Sequence, residues 1–445
     1  MKAKFSRRNF LTISLASLGA ALLGACKRFI TPPTIASTAT PLLTPILSIA
    51  ATETPTNTPE PTATPTRAPD PAYVFDGSIS RKVLEKYLSR AITQQALLEG
   101  WGNEDDNIRM LLNIGAKFAG RTILVWGQES TLPGLLPMAR QYADKIHALD
   151  PDMILQAGIF EIITTDVEQI AIPDWVFSAF DLQPETRNFR YSSMLYQNGM
   201  GRDNWGSGSS FPDMSQLETR MWFYYAARSY IDAGVEAIHF GDIDNMDQND
   251  HDHAHYWDMM SRVRAYAAGN ARRHMVLCDG FSANGGVVLP DGRLLLDFHS
   301  FPLRIDEVPG KPEEGVLRFG YNDAIYGRSK GGITPSGWSC THLPYLVEVD
   351  NYDTSAHPGQ NLGGFWVWGY DEIGWFAHQT EQYRNDWLRY AWNWIRTNDP
   401  NGHLEMPGAR VLGEPDKLYW ANTRSAATPD GYNQEGTIKE IWSED

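Results

Sequence analysis

The chain has 445 residues, enough for two or three ordinary domains or for one large barrel. Hydrophobic residues make up 42% of the chain and charged residues 21%, which excludes global disorder. The formal net charge of −16 argues against a nucleic-acid-binding protein, because such a protein neutralises phosphates with basic residues. Three cysteines are too few for a disulfide-rich scaffold or a four-thiolate metal site.

The first 25 residues have the features of an export signal. The run SRRNFLT at residues 6–12 resembles the twin-arginine signal, which the twin-arginine export machinery recognises. An apolar stretch from Leu11 to Leu23 follows, and it is too short to span a bilayer as a mature helix. The run LGAC that ends at Cys26 resembles the lipobox of bacterial lipoproteins, which implies cleavage before Cys26 and lipidation of this residue. We therefore expect an extracytoplasmic protein that contacts the membrane only through its N-terminal lipid.

Residues 31–70 differ in composition from the rest of the chain, with twelve Thr and nine Pro. Proline fixes φ and lacks an N–H, so this run can neither continue a helix nor pair as a central strand. It is expected to form an extended, semi-rigid linker. The predicted organisation is a signal peptide at 1–25, the lipidated cysteine with the linker at 26–72, a barrel domain at 73–405, and a C-terminal extension packed on the barrel at 406–445.

From about Tyr73 onward, short β-rich runs alternate with longer helical stretches, a pattern typical of parallel strands joined by helices. Eight strands are predicted, at Thr122–Trp126, Met153–Ile162, Arg190–Leu195, Glu236–Asp242, Met275–Asp279, Leu294–Phe301, Tyr345–Asp350 and Gly364–Tyr370. The clearest helices are predicted at Ser215–Ala233, Tyr256–Ala268 and Thr380–Arg396. This pattern favours an α/β fold of the (β/α)8, TIM-like type. A doubly wound sheet is the alternative, but no Gly-rich phosphate loop follows the first predicted strand.

In such a barrel the chemistry lies at the C-terminal ends of the strands. Alternation along the strands predicts which acidic and aromatic side chains point towards the barrel axis. On this basis the inward residues are Glu348, Asp350, Asp297, His299, His239, Trp366 and Trp368, with Asp242 and Asp244 at the rim. Acidic groups inside a barrel are costly unless they are paired, hydrated or used.

Carboxylates on several strand ends beside paired tryptophans suit sugar chemistry. Glycoside hydrolysis needs one carboxylic acid and one carboxylate, and Trp faces cover the apolar faces of sugar rings. Over about residues 120–400 the chain resembles the barrel glycoside hydrolases, in which acids at the ends of strands four and seven often form the pair. The resemblance implies Asp242 or Asp244 as acid/base and Glu348 or Asp350 as nucleophile or base. No Asn-Glu pair ends strand four, where the chain has Gly241-Asp242.

The substrate of such an enzyme would be a carbohydrate, and the reaction would need no cofactor. The residues expected to bind the sugar are Trp366, Trp368, Tyr370, His239, His299, Asp279, Gln156 and Glu161. A glycan-binding lipoprotein without catalytic activity is a second possibility, because one barrel fold hosts many functions. A third is a metal-dependent hydrolase that uses His239, Asp297 and His299, although the first predicted strand lacks a His-x-His ending.

Two further features of the sequence are candidates for special sites. The run DHDHAH at residues 250–255 contains histidines at a spacing that metals use, but no HExxH motif and no third ligand accompany it. It is therefore predicted to be a polar loop that enters a helix, and no metal site is predicted. Cys278 and Cys340 are compatible either with a disulfide or with free thiols.

Overall fold

Eight parallel strands form a nearly closed barrel in the computed structural model, which describes residues 68–413 and 417–444. In chain order they are β1 (Ala91–Gln94), β2 (Phe118–Leu124), β3 (Ile154–Gly158), β4 (Ala237–Asp242), β5 (Leu277–Phe281), β6 (His299–Pro302), β7 (Tyr345–Glu348) and β8 (Gly402–Val411). Around the sheet their order is β5-β4-β3-β2-β1-β8-β7-β6. The Asp297 N–H, just before β6, donates to the Cys278 carbonyl on β5 at 2.8 Å and links the two ends of the sheet. The predicted TIM-like α/β barrel is confirmed.

Helices follow several of the strands, but not all of them. The helices are α1 (Arg81–Leu88), α2 (Glu104–Ile114), α3 (Leu132–Leu149), α4 (Asp174–Ala179), α5 (Leu217–Asp232), α6 (Ile243–Met246), α7 (Ala254–Asn270), α8 (Glu372–His378), α9 (Glu381–Asn398) and α10 (Glu435–Ser443). The connections after β5 and β6, both fully described, contain no helix. Short antiparallel pairs occur after β3 and β6, namely Ile163–Thr164 with Ser209–Ser210, Asp306–Glu307 with Gly315–Val316, and Gly332–Ile333 with Ser339–Cys340. A last strand, β9 (Leu418–Trp420), pairs antiparallel with β8.

Local capping signals account for the ends of the main helices. The Thr380 hydroxyl accepts from the Tyr383 N–H at 3.3 Å and begins α9, as its sequence suggests. In α2, Asn103 caps the first turn and Gly115, at φ 77°, ends the helix. The three predicted helices correspond to α5, α7 and α9. In α5, however, the cap position is Gln216 rather than Ser215, and its side chain makes no capping bond.

An apolar layer fills the barrel near the N-terminal ends of the strands. It takes one side chain from, or next to, each of seven strands: Ala91, Phe118, Ile154, Ala237, Leu277, Phe298 and Leu346. The rings of Phe118 and Phe298 meet edge to face, with centroids 5.7 Å apart, although β2 and β6 lie far apart in the sheet order. Helix α1 packs Leu84, Tyr87 and Leu88 against this layer. This end of the barrel is therefore closed, and the C-terminal ends of the strands form the other end, called the mouth below.

Two of the eight predicted strands are wrong. Around residues 190–195 the chain forms a short 3-10 turn at Tyr191–Ser193. Residues 364–370 form a loop after β7, in which Gly364, Trp368 and Gly369 have positive φ values that a strand excludes. Their places in the barrel are taken by β1 and β8, which were not predicted. Strand β8 also continues past residue 405, where the barrel was expected to end, and α9 precedes the last barrel strand instead of following it.

The N-terminal predictions concern a part of the chain that the structure does not describe. The signal at residues 1–25, Cys26 and the linker up to residue 67 all lie outside the described residues. In the part that is described, no helix is both long and apolar enough to cross a membrane.

Candidate active site

A polar layer lies in the barrel directly above the apolar one. Two residues further along the same strands come Gly120, Gln156, His239, Asp279, Ser300 and Glu348, and Glu405 on β8 pairs in register with Glu348 on β7. Because side chains alternate along a strand, a step of two residues keeps them on the same face. The structure therefore brings together four of the predicted site residues, Gln156, His239, Asp279 and Glu348.

Asp279 is the centre of the hydrogen bonds in this layer. Its Oδ1 accepts from Gln156 Nε2 at 2.7 Å, and its Oδ2 accepts from Ser300 Oγ at 2.6 Å. His239 Nδ1 lies 2.7 Å from the same Oδ2 and fixes the orientation of the imidazole ring. Three strands thus place donors on one fully buried carboxylate. Asp279 is better suited to hold His239 and Gln156 in place than to contact a substrate itself.

Glu348 forms a buried ion pair across the interior with Arg121 on β2. Both oxygens of Glu348 contact the Arg121 guanidinium, and Arg410 on β8 approaches Oε2 at 3.3 Å. Burial alone would raise the pKa of the Glu348 carboxyl, but Arg121, Arg410 and His239 outweigh it and lower this pKa to about 2. Glu348 is therefore a carboxylate at any ordinary pH.

The pKa of Glu405 is shifted in the opposite direction, although Glu405 is next to Glu348. Burial, and then the negative charge of Glu348, raise the pKa of Glu405 to about 8. Its Oε1 is buried without a hydrogen-bond partner among the described residues, which favours the neutral form. A Cβ at Gly120 would collide with this carboxyl, so the glycine makes room for it. The two neighbouring carboxyls thus have pKa values shifted in opposite directions.

A chain of ion pairs leads from this layer to the loop after β7. Arg410 also contacts Asp350 at 3.3 Å, and Asp350 in turn lies 3.6 Å from the buried Arg304. Arg304 binds Glu372 at 2.7 Å and Asp323 at 2.8 Å. Burial raises the pKa of Glu372 to about 8. Burial also raises the pKa of the neighbouring Asp371 to about 7. Asp350, a predicted nucleophile, is therefore part of a connected charged network.

Asp242 and Asp244, the predicted acid/base residues, lie where β4 ends. The backbone N–H of Asp242 donates to Glu161 Oε2 at 2.8 Å, and its Oδ2 accepts from Asn245 at 2.9 Å. Asp244 accepts from the Ser282 hydroxyl and the Ala283 N–H, both at 2.9 Å, and so joins the loops after β4 and β5. These contacts place Asp242 beside Glu161, another predicted site residue, and give Asp244 a structural role.

Aromatic side chains stand on two sides of the mouth. After β2 and β3, Trp126 packs edge to face on Phe160 and on Trp205, with centroids 5.4 and 5.5 Å apart. After β7, the ring of Trp366 lies 5.9 Å from that of Tyr352. The predicted sugar-binding residues Trp366, Trp368 and Tyr370 are therefore on the loop after β7, not on an eighth strand. In that loop the Trp368 N–H donates to Glu307, and Tyr370 stacks on His378.

The predicted orientation of the strand-six residues is wrong. Phe298 and Ser300 point inward, so Asp297 and His299 point away from the barrel axis. Asp297 pairs with Arg264 of α7 at 3.2 Å, and His299 lies 3.2 Å from the Ser329 hydroxyl in the loop after β6. Burial lowers the pKa of His299 to about 3, so the ring is neutral. His299 is therefore a buried residue that points away from the barrel interior.

The same orientation removes the basis of the metal-dependent alternative. His239 faces the interior, whereas Asp297 and His299 face the surrounding layer, so the three side chains do not converge. Among residues 68–413 and 417–444, no group of three His, Cys, Asp or Glu side chains has a geometry that could hold a metal ion.

The DHDHAH run begins α7, as predicted for a polar loop. The Asp250 carboxylate accepts from the N–H groups of His255 and Tyr256 and caps the helix, while His253 pairs with Asp247 at 2.8 Å. Cys278 and Cys340 are both free thiols. Burial raises the pKa of Cys278 to about 12, which makes it unreactive.

The sequence did not reveal Arg121, Glu405, Arg410 or Trp126 as site residues. Arg121 lies at an irregularity between Ala119 and Ile123, has φ 61°, and so leaves the two-residue alternation. Glu405 and Arg410 belong to the strand that was not predicted. Trp126 follows β2 directly, so its position at a strand end was a usable signal.

Comparisons with known proteins do not identify a family for this chain. No protein-family model and no curated protein matches the chain. The chain resembles solved structures of a noncanonic maltogenic alpha-amylase from Thermotoga neapolitana (12% identity, TM-score 0.28, covering 48% of this chain and 47% of that one) and a debranching enzyme from Nostoc punctiforme (8%, 0.38, 76% and 69%). It also resembles an isomalto-dextranase from Arthrobacter globiformis T6 complexed with panose (12%, 0.27, 71% and 49%). The chain spans about half the length of the first and the last of these.

Proposed function

We propose that this protein is a carbohydrate-active hydrolase that cleaves glycosidic bonds inside the mouth of its barrel. The observation that carries the proposal is the pair Glu348 and Glu405, which lie side by side in register with pKa values shifted in opposite directions. Glycoside hydrolysis needs one protonated carboxyl to donate to the leaving oxygen and one carboxylate to act as nucleophile or base. Carboxyl groups whose environments separate their pKa values supply both forms at neutral pH.

In this proposal Glu405 donates its proton to the glycosidic oxygen, and the bond from that oxygen to the anomeric carbon breaks. Glu348 stabilises the positive charge that develops on this carbon, or activates the attacking water. Water supplies the hydroxyl group of the product, and its other proton restores the protonated carboxyl. Asp279 keeps His239 and Gln156 oriented beside the pair, and the loop with Trp366, Trp368 and Tyr370 contacts the substrate.

The proposal is tested with Glu348→Gln and Glu405→Gln in the full-length protein. We expect the release of reducing ends from a panel of polysaccharides to fall by about 10²–10⁴-fold in each variant, because each removes one proton-transfer or charge-stabilising group. Asp242→Asn is measured in parallel, because Asp242 is the acid/base residue that the resemblance implies.

Glu218→Gln is the matched control for these variants. Glu218 is also a buried glutamate paired with an arginine, Arg187 at 2.6 Å, but it lies on α5 and outside the polar layer. The Glu218→Gln variant should release reducing ends at the same rate as the parent protein. Activity that survives in both Glu348→Gln and Glu405→Gln would contradict the proposed pair.

A glycan-binding protein without catalytic activity is the second candidate. The observation that favours it is the engagement of both Glu348 oxygens by Arg121, with Arg410 as a further partner. A carboxylate held in this way can serve as a structural charge instead of a reacting one. Binding of oligosaccharides by the parent protein without any release of reducing ends would support this alternative.

We also propose that the protein is exported by the twin-arginine machinery and anchored outside the cytoplasm through lipid on Cys26, as the sequence indicates. Cys26→Ser should release the protein from membranes or block its processing, because the lipid would have no attachment site. The measurement is fractionation with detergent-free washing. Cys340→Ser, which changes a cysteine of the folded barrel, should stay with the membrane. A Cys26→Ser variant that is cleaved to the same size as the parent protein and still fractionates with membranes would refute lipidation.

A further inference from the structure

We propose that Trp126, supported by Trp205 and Phe160, is a binding platform for one end of a neutral glycan chain that spans the mouth of the barrel. The inference rests on the proposed carbohydrate function and adds to it the class of substrate. It concerns residues after β2 and β3, on the side of the mouth away from the loop after β7.

Trp126 combines exposure with fixed orientation. Its side chain is 44% exposed, yet its ring is held between Phe160 and Trp205 by edge-to-face contacts. Trp205 is in turn packed on the buried Phe211, with centroids 4.6 Å apart. An exposed indole that is held in this way loses little further conformational freedom when a ligand binds. Such a ring is a suitable surface for the apolar face of a sugar.

The platform is connected to the polar layer by Phe160. The Phe160 ring lies 5.6 Å from the ring of His239 and carries the Arg121 guanidinium on its face at 4.9 Å. Arg121 is the partner of Glu348, so Phe160 and Arg121 together connect Trp126 to the proposed catalytic pair. A sugar on Trp126 would therefore belong to the same ligand as a sugar at Glu348.

The opposite side of the mouth offers a second aromatic surface. Tyr352 is 42% exposed, and it lies beside Trp366 in the loop after β7. In the sheet order three strands lie between β3 and β7, so the two aromatic surfaces face each other across the barrel. A ligand that contacts both must be longer than a single sugar, so we infer a chain of several residues.

The charge of the site restricts the chemical class of this chain. Around the mouth the structure places Glu161, Asp242 and Asp350, and the whole protein carries a net charge of −16. This field repels anionic ligands such as uronic-acid polymers. A neutral glycan is the occupant that fits both the aromatic surfaces and the charge.

The test measures binding and needs no turnover. Trp126→Ala and Trp126→Phe are made in the full-length Glu348→Gln protein, and titrated with maltohexaose, cellohexaose, xylohexaose, mannohexaose and, as the anionic probe, hexagalacturonate. We expect Trp126→Ala to weaken binding of the preferred neutral hexasaccharide by roughly tenfold, whereas Trp126→Phe keeps most of the affinity and so shows that the site is folded.

A control variant and the length of the ligand complete the test. Phe319→Ala removes a ring of similar exposure, 47%, which packs on Trp394 of α9, and should leave binding unchanged. The disaccharide of the preferred series should bind much more weakly than the hexasaccharide. Equal affinities of Trp126→Ala and its parent, preference for hexagalacturonate, or no binding of any neutral hexasaccharide would overturn the inference. Loss of binding in Trp126→Ala, together with no release of reducing ends by the protein that retains Glu348, would support the platform and refute hydrolysis.

Discussion

Replacing Arg121 by methionine is expected to lower the free energy of unfolding by roughly 3–5 kcal/mol, because it leaves the Glu348 carboxylate buried without its main partner. Both groups are inside the barrel, with side-chain exposures of 6% and 8%. Arg410 remains at 3.3 Å from Glu348, but it is also paired with Asp350 and so compensates the Glu348 charge only in part. Urea denaturation of the variant and the parent at pH 7 measures the difference.

A double variant separates the lost ion pair from lost packing. In Arg121→Met with Glu348→Met no buried carboxylate remains without its arginine, so at least half of the lost stability should return. Arg187→Met is the comparison on the outside of the barrel, where Arg187 pairs with Glu218 but is 17% exposed, and it should cost less than Arg121→Met. A double variant that is as unstable as the single one would show that the arginine acts through packing on Phe160.

Much of the barrel could be predicted because its strands are short apolar runs between helices with clear capping signals. One true strand, β1, was missed before the first predicted strand, and one false strand, at 190–195, was predicted before β4. These two errors cancel in the count, so the fourth and seventh predicted strands are indeed β4 and β7. Strand β8 escaped prediction because Pro407 interrupts its pattern, and a proline argues against a central strand.

The polar layer was only partly predictable, for two physical reasons. Alternation identified Glu348 and His239 correctly, because β7 pairs in regular register and the irregularity of β4 begins only after His239. It failed just before β6, where Leu296 and Phe298 are both apolar but only Phe298 belongs to the interior layer. It also cannot show an irregularity such as the one that turns Arg121 inward. Arg121, the partner that keeps Glu348 ionised, therefore could not be identified from the sequence without the pairing of the strands.

The Glu405→Gln variant is expected to become more stable relative to the parent protein as the pH rises from about 5 to about 8. Burial, together with Glu348, raises the pKa of Glu405 from its ordinary 4.5 to about 8. Between these values the folded parent keeps a proton that its unfolded chain has released, so its free energy of unfolding falls as the pH rises. Glutamine does not ionise, so the Glu405→Gln variant does not lose stability in this way as the pH rises. One pKa unit corresponds to about 1.4 kcal/mol, so the advantage at pH 8 should be at least about 1 kcal/mol.

Urea denaturation of both proteins at pH 5, 6, 7 and 8 isolates this effect. Glu372 and Asp371, whose pKa values burial raises to about 8 and about 7, titrate in both proteins and cancel in the difference. Glu348, with its pKa lowered to about 2, contributes stability that is lost only below about pH 4.5, outside this range. A difference that grows with pH would show that Glu405 is protonated at neutral pH, as a proton donor must be. Parallel profiles would mean that Glu405 is ionised beside Glu348, and the general-acid role proposed for it would then be wrong.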